Sequence, residues 1–428
     1  MMKISKNLKE LAQLFNKAGA NLYIVGGAVR NYLLNLPYTD IDICSYLSLD
    51  DVMEKLSNTK FLVKIKNALT QTAQIIYGKE VYEYARTRIE EYEESGERIP
   101  IKINFTTDIS KDYLRRDFTC NALYYDILNG KIVDFCNGEK DIKNKILNTV
   151  QDANITLKFD ALRLLRLVRF SLYYNIEPTN DVLDCAKQNA FKLLKIKGQS
   201  KKEELIKILP YGTDSKDYHK LNNKKLNMLL SLNYIPYLFS SKLKKIEFDA
   251  CNIELIFPLS LNCNKKEKAL ECFVLDLYAY ILSKQIFIDK EIIELILGQE
   301  GLGLSKKEIE YYSKLCFAYS FKDIEKNARF YIYLNNEIID NIIQVFNFNN
   351  DYKNIINTLN NEIKTLKRAN LPINLKNLNI TSKDIFDANL TTKTNYSYIL
   401  KRVHYVVLFE HIKNNKEDIM QFISKNFK

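Results

Sequence analysis

Long apolar runs are missing from this chain. No stretch of about twenty apolar residues, the length that crosses a bilayer, occurs among its 428 residues, so no transmembrane helix is expected. The N-terminus, Met1-Met2-Lys3-Ile4-Ser5-Lys6-Asn7, leads into a helical pattern without an apolar signal core, from which a cytoplasmic location is expected. Histidine is scarce, with only His219, His404 and His411, too few for a histidine–aspartate phosphohydrolase module. The eight cysteines form no C-x-x-C pair and do not cluster with the histidines. They read as reduced, mostly buried thiols, and a zinc site is not expected.

Positive charge is in excess. The formal net charge of +11 suits a polyanionic partner, but a composition crowded with Lys, Asn and Ile, as an A/T-rich genome dictates, accounts for it too. A hydrophobic fraction of 46% over this length is enough for two to four domains with a sizeable core.

The most informative feature present is Thr39-Asp40-Ile41-Asp42-Ile43-Cys44, shortly after Val25-Gly26-Gly27-Ala28-Val29-Arg30. Strand side chains alternate between faces, so Asp40 and Asp42 point the same way. Two carboxylates on one face can hold divalent metal. Gly26 and Gly27 admit close backbone approach by a phosphate, the following helix N-terminus favours anions, and Arg30 lies within reach of a triphosphate. The competing reading is a solvated acidic turn; the strand–turn–helix–strand context favours the site.

The chain divides into a mixed α/β part and a long helical part. Helices are expected over 5–20, 28–35 and 50–56, and strands over 21–25, 40–44, 61–65, 72–77 and 81–87. Residues 89–100 read as a flexible surface loop or lid. From about 108 the pattern turns helical, interrupted by a hairpin of 123–128 and 131–135 around Asn129-Gly130. Beyond about 156 nearly everything reads as helix, with breaks near Pro210-Tyr211-Gly212, Gly301-Leu302-Gly303 and Leu371-Pro372.

Two more stretches carry chemistry. In Tyr113-Leu114-Arg115-Arg116-Asp117-Phe118-Thr119-Cys120-Asn121, read as helix, Asp117 and Asn121 share a face at i and i+4. They suit ribose hydroxyls, and Arg116 suits phosphate. A local charge cluster is the alternative. In Phe159-Asp160-Ala161-Leu162-Arg163-Leu164-Leu165-Arg166-Leu167-Val168-Arg169, arginines recur every third residue along an apolar helix. Asp160 and Arg163, one turn apart, offer acceptor and donor edges to a base. Arg166 and Arg169 can order that pair or bind phosphate. The alternative is a surface helix with an intrahelical salt bridge.

In this order, LYIVGGAVRNYLL, YTDIDICS, DISKDYLRRDFTCNAL, GKIVDFCNGEKDIKNKILNTV and FDALRLLRLVRF resemble the class II tRNA nucleotidyltransferases, the CCA-adding enzymes, and the related bacterial poly(A) polymerases. The resemblance is dense from about residue 20 to 210 and returns weakly near the C-terminus. Between about 215 and 365 nothing is recognisable. The resemblance implies a polymerase-β-like α/β head built on a small mixed sheet, followed by all-α neck, body and tail. The expected boundaries are 1–145, 146–210, 211–300 and 301–428. It implies Asp40 and Asp42 as catalytic ligands of Mg²⁺, and Gly26, Gly27 and Arg30 at the triphosphate. Arg116, Asp117 and Asn121 fall in the ribose-selecting motif. Asp160 and Arg163 become an amino-acid template for cytosine or adenine, with Arg166 and Arg169 lining the same pocket. The implied partners are the tRNA 3′ acceptor end, CTP and ATP, with neither membrane nor DNA.

Three departures from the family stand out. Phe159 replaces the usual glutamate before Asp160, Asn31 replaces the usual aspartate after Arg30, and the C-terminal echo lacks expected glycines. The basic segment typical of the poly(A) polymerase branch is not found in 61–84, which favours the tRNA-specific branch. Residues 87–105 fill the interval that CC-adding enzymes tend to lack, which favours full CCA or A addition. A non-catalytic RNA-binding protein on this scaffold would usually have lost its metal ligands. Glu83, on an expected strand beside Arg86 and Arg88, reads either as a third carboxylate of the metal site or as a surface salt bridge.

Overall fold

The computed structural model describes residues 2–92, 100–209, 218–239, 258–265, 268–283, 290–321, 323–387 and 396–427. The chain forms two compact units. One comprises Met1–Tyr211, Lys224–Ala250 and Glu294–Gly303, the other Gly212–Asn223, Cys251–Ile293 and Leu304–Lys428. The expected break at Pro210-Tyr211-Gly212 and the centre of the 89–100 loop lie outside the described residues. Among the described residues no helix is long and apolar enough to cross a membrane, and the described cysteines are free.

The first unit opens with α1 (Lys6–Lys17), started by Ser5, whose hydroxyl accepts the Leu8 amide. Its Leu8, Leu11, Ala12 and Phe15 recur at helical spacing and are buried. Then come β1 (Tyr23–Val25), α2 (Gly27–Leu33), β2 (Ile41–Ser45), α3 (Leu49–Leu56), β3 (Leu62–Asn67), β4 (Thr72–Tyr77) and β5 (Glu80–Arg86). After β6 (Arg88–Glu91), β7 (Lys102–Phe105) and the one-turn α4 (Ile109–Asp112), the hairpin β8 (Tyr124–Asp126) and β9 (Lys131–Val133) follows. Seven of these strands form one sheet in the order β3-β4-β5-β2-β1-β8-β9, in which β2 and β5 run parallel and their other neighbours antiparallel.

The register explains how the site is presented. Ile43 lies opposite Ile24 and Tyr84, and all three are buried on the face where Phe15 of α1 meets Tyr84 with ring centroids 5.8 Å apart. Alternation turns Asp42, Val25, Tyr124 and Glu83 to the opposite face. There Val25, Cys44 and Tyr124 make a small core with Ile109 and Tyr113. One face of the sheet is therefore structural, and the other is left partly open around Asp42.

Two expectations are corrected. Residues 89–100 are not loop throughout: β6 pairs antiparallel with β7, Glu90 opposite Ile103 and Glu91 opposite Lys102. Residues 113–122 are not one helix. Tyr113–Arg115 and Thr119–Asn121 are single 3₁₀ turns, and Arg116 and Phe118 between them are extended. Burial of Phe118 and Cys120, both 0% exposed, wins over the helical propensity of the segment.

The unit continues with α5 (Gly138–Lys143), then α6 (Ala153–Phe159) and α7 (Leu162–Tyr174), followed by α8 (Asn180–Gln188) and α9 (Gly198–Ile208). A two-residue parallel pairing of 146–147 with 177–178 interrupts the helical part. In α7, Leu164, Leu165, Leu167 and Val168 are buried without residual exposure, and Arg163 is buried with them.

The second unit is helical where described. Its apolar helix Ala269–Ser283 is buried along most of its length. Nearer the C-terminus, Tyr396–Leu408 and Lys416–Asn426 pack Ile399, Val403, Val407, Ile419 and Ile423 into a core with Leu378, Ile380 and Ile385.

Candidate active site

Asp42 is the second residue of β2, and Asp40 immediately precedes the strand; both are exposed. Across the sheet Asp42 faces Glu83, Glu83 faces Gln74, and Gln74 faces Lys64. Glu83 is also an ion-pair partner, 2.8 Å from Lys66 and accepting from Gln74 Nε2 at 2.8 Å. Of the two sequence readings of Glu83, the salt bridge is the one seen. It neighbours Asp42 and is neutralised by a lysine.

The Asp42 carboxyl is raised above the ordinary aspartate range. Desolvation in the cleft is the largest cause, opposed by Arg116, and the negative charges of Glu83 and Asp40 add to it. A hard divalent cation relieves this crowding. The donors are carboxylate oxygens, the chemistry Mg²⁺ prefers. Cys44, on the same strand face, has its thiol pushed up to about 12 by burial and stays protonated at neutral pH. Among the described residues no group of three or more His, Cys, Asp or Glu closes around a metal.

The Gly-Gly turn borders this face. Gly26 has φ +71° and ψ −123°, a region closed to residues with a Cβ. A Cβ there would lie 3.7 Å from both Arg116 Nη1 and the Asn121 carbonyl. Arg30 is more constrained than the sequence suggested. It is 6% exposed, donates to Asn31 Oδ1 from Nε at 3.2 Å and Nη2 at 2.9 Å, and donates to Asn121 Oδ1 and the Tyr174 hydroxyl. Its guanidinium also lies over the Tyr174 ring, 4.0 Å from the centroid. Asn31, the residue that departs from the family, is therefore a neutral partner of Arg30.

A buried carboxylate that sequence reasoning did not single out organises the next segment. Asp112 is 0% exposed and accepts from Arg115 Nε at 2.9 Å, Arg116 Nη2 at 3.1 Å, the Tyr124 hydroxyl at 2.7 Å and the Arg88 amide at 3.0 Å. Burial would raise its carboxyl, but the two arginines and these hydrogen bonds hold it well below the usual range. Arg116 is thereby fixed beside Gly26 and over the Tyr124 ring.

Asp117 and Asn121 do meet, through a 3₁₀ turn rather than a helix: Asn121 Nδ2 donates to Asp117 Oδ1 at 3.0 Å. The other carboxylate oxygen lies 2.7 Å from Arg166 Nη2. Burial pushes this carboxyl up, and Arg166 with Asn121 brings it below the ordinary range. A polar chain thus runs from Arg30 through Asn121 and Asp117 to Arg166 on α7. Asp160, at the junction of α6 and α7, accepts the Leu162 amide at 3.0 Å. Arg163 Nε is 3.9 Å from the Asp160 carboxylate, and its Nη atoms donate to the carbonyls of Thr156 at 3.0 Å and Arg115 at 2.6 Å. Arg169 turns to Glu204 of α9 at 3.2 Å.

These side chains line one cavity of about 1010 Å³, which also takes in Arg88, Glu90, Tyr92, Tyr173 and Tyr174, none of them singled out from sequence. The alternation of Arg88 and Glu90 was the available signal, hidden by reading the segment as loop.

Residues 22–148 match the family described as the poly(A) polymerase head domain. Over its length the chain is similar to a CCA-adding enzyme of Staphylococcus epidermidis, 25% identical across 99% of each chain. A CCA-adding enzyme of Lactobacillus helveticus is 36% identical over 46% of this chain and 48% of that protein. The fold matches that of the Bacillus stearothermophilus CCA-adding enzyme in complex with CTP, with a TM-score of 0.69 and 20% identity, covering 98% of this chain and 96% of that one. The paired aspartates, the glycine turn and the Asp–Arg helix thus stand on a fold shared with CCA-adding enzymes, to which the chain is similar over its length, with a poly(A) polymerase head domain at residues 22–148.

Proposed function

We propose that this protein adds C, C and A in turn to the 3′ end of tRNA from CTP and ATP, without a nucleic-acid template and with release of pyrophosphate, in the cytoplasm. The observation that carries this reading is the single cavity lined at once by Asp40 and Asp42 and by Asp160 and Arg163. A reacting triphosphate and a base-reading pair share one space.

Asp40 and Asp42 would hold Mg²⁺, which when bound lowers the pKa of the attacking 3′-hydroxyl and neutralises charge on the α-phosphate and pyrophosphate. Gly26 and Gly27 leave room for the triphosphate beside Arg116, while Arg30, through Asn121, orients the ribose-facing pair Asp117 and Asn121. Cytosine and adenine both present an exocyclic amino group next to a ring nitrogen acceptor. A carboxylate that accepts from the amino group and a guanidinium that donates to the ring nitrogen fit both bases. Uracil and guanine show the opposite pattern. Asp160 and Arg163 offer that acceptor and donor, and Arg166 and Arg169 support them. In this reading residues 1–145 are the catalytic head and 146–210 the neck that reads the base. Residues 211–300 and 301–428 are the body and tail, which hold tRNA through its phosphates with the chain's surplus of Lys and Arg.

The test is extension of tRNA lacking its last three nucleotides, with CTP alone, ATP alone and both, and sequencing of the products. Termination at CCA with both nucleotides is expected. A long A tail would move the protein to the poly(A) polymerase branch. CC alone, or A alone on a CC-ended tRNA, would make it one member of a split pair.

A further inference from the structure

Two aromatic side chains of α7 grip an arginine of α2. Phe170 and Tyr174, one turn apart, lie with ring centroids 5.9 Å apart and planes inclined by 30°. The Arg30 guanidinium sits 4.0 Å from the Tyr174 centroid and 5.3 Å from that of Phe170. Arg30 Nη2 also donates to the Tyr174 hydroxyl, so this one side chain holds Arg30 both by its ring and by its oxygen. Asn31 Oδ1 accepts from Nε and Nη2 of the same guanidinium. Arg30 Nη1 then donates to Asn121 Oδ1, and Asn121 Nδ2 donates to Asp117 Oδ1 at 3.0 Å. Those two bonds fix which way the Asn121 amide faces. Its oxygen is turned to Arg30 and its nitrogen to Asp117, which sets the direction of the second Nδ2 hydrogen as well. The other Asp117 oxygen lies 2.7 Å from Arg166 Nη2, so the chain of contacts begins and ends on α7, about two turns apart. Tyr174, Arg30, Asn121, Asp117 and Arg166 all line the one cavity.

We propose that Tyr174 is a positioning residue that sets selectivity for the sugar of the incoming nucleotide: by holding Arg30 it fixes the Asn121 amide, and with it the hydrogen-bonding pattern that Asn121 and Asp117 present to the ribose 2′-hydroxyl. A site built to hydrogen-bond a hydroxyl rejects the analogue lacking it, because its own polar groups are then left unpaired. That rejection lasts only while donor and acceptor keep their places. An amide released by Arg30 can turn over, exchanging N–H for C=O, and then discriminates less between ribose and deoxyribose. The base-reading pair is held by other contacts: Asp160 by the Leu162 amide, Arg163 by the carbonyls of Thr156 and Arg115. Tyr174 therefore acts on the sugar and not on the base. The proposal rests on the function proposed above.

The experiment compares the full-length wild type with Tyr174→Leu and Tyr174→Phe on tRNA lacking CCA. It measures kcat/KM for CTP against dCTP and for CTP against UTP, with melting temperatures alongside. In Tyr174→Leu the preference for CTP over dCTP is expected to fall about tenfold, the scale of one lost hydrogen bond with its orienting ring, while the preference for CTP over UTP is unchanged. Tyr174→Phe keeps the ring beside Arg30 and is expected to lose about threefold in the sugar ratio alone, the share of the hydroxyl. Tyr174 is only half-buried, so both variants are expected to melt close to wild type. An unchanged sugar ratio in Tyr174→Leu overturns the proposal. An equal fall in the sugar and base ratios also overturns it, since that marks a general loosening of α7. If the wild type extends no tRNA, the functional reading fails and this proposal with it. A wild type that completes CCA but uses dCTP as readily as CTP leaves that reading standing and overturns the assignment of Asp117 and Asn121 to the ribose, and this proposal, together.

Discussion

Buried acids are compensated in two ways, by guanidinium groups around the cavity of the first unit and by uncharged donors at Asp276 of the second. In the first, Asp112 meets Arg115 and Arg116, Asp117 meets Arg166, and Glu204 meets Arg169. The carboxyls of Asp112 and Asp117 are held below their usual range despite burial. In the second, Asp276 is fully enclosed and accepts the amides of Leu259 at 2.9 Å and Ser260 at 2.7 Å, and burial pushes its carboxyl up to about 7. The second unit also pairs Lys268 with Glu271, so the contrast belongs to Asp276 and not to helical packing in general. A buried acid with a guanidinium stays ionised and becomes part of a fixed electrostatic array. A buried acid with uncharged donors only becomes a helix cap that is neutral over part of the accessible pH range. The first arrangement suits a cavity that must receive a polyphosphate in one orientation. The second is structural.

The sharpest way to separate charge for chemistry from charge for structure is Asp42→Ala. Asp42 is exposed in the cavity, and its carboxyl is raised rather than stabilised by its surroundings. Its removal is expected to cut nucleotide addition by about a thousandfold or more, the rate equivalent of about 4 kcal/mol, while leaving the melting temperature unchanged or slightly higher. Turnover at the wild-type rate would refute the metal role.

Asp112→Ala should do the reverse in proportion, harming the fold first. It leaves two half-buried guanidinium groups without their carboxylate, a change that costs about 3 kcal/mol, readable in denaturant unfolding. The pH dependence carries a definite sign. The folded carboxyl titrates below its unfolded value of about 4, so its contribution is present above pH 4 and is lost as pH falls through the folded value. The variant is expected to lose that part of the wild type's acid sensitivity. A variant as stable as wild type at pH 7 would show that the arginines find other partners.

The ease of reading these residues from sequence follows from the range of their contacts. Asp40 and Asp42 were legible because strand alternation is local, and the hairpin around Asn129-Gly130 because its turn chemistry is local. Asp112 was not: Arg115 and Arg116 lie three and four residues on, but its other partners, Arg88 and Tyr124, are 24 and 12 residues away, and no spacing rule connects them. Asp117 and Asn121 were paired correctly for the wrong reason. An i,i+4 spacing suggests a helix, but an extended residue followed by a 3₁₀ turn closes the same hydrogen bond. The β6 segment was concealed by its own polarity, because Arg88 and Glu90 face a cavity rather than a core and so mimic a surface loop. Asn31, visible as a departure, gained meaning only when Arg30 was seen against it.

The smallest effect tests the other side of the comparison. Asp276 binds a proton in the folded state between about pH 4 and 7 that the unfolded chain has already released, so this group lowers stability progressively as pH rises through that window. Asp276→Asn removes the titration. The amide retains one acceptor oxygen for the Leu259 and Ser260 N–H groups and loses the other, a cost of about 1 kcal/mol, so at pH 5, where the wild-type acid is largely neutral, the variant is expected to be slightly less stable. At pH 8 the wild type holds a buried negative charge and the variant does not, so the difference should vanish or change sign. Melting temperatures from pH 5 to 8 check this directly: a flatter profile for the variant confirms a neutral cap. Parallel profiles would mean that Asp276 is ionised throughout, and that its burial is compensated as fully as that of Asp112.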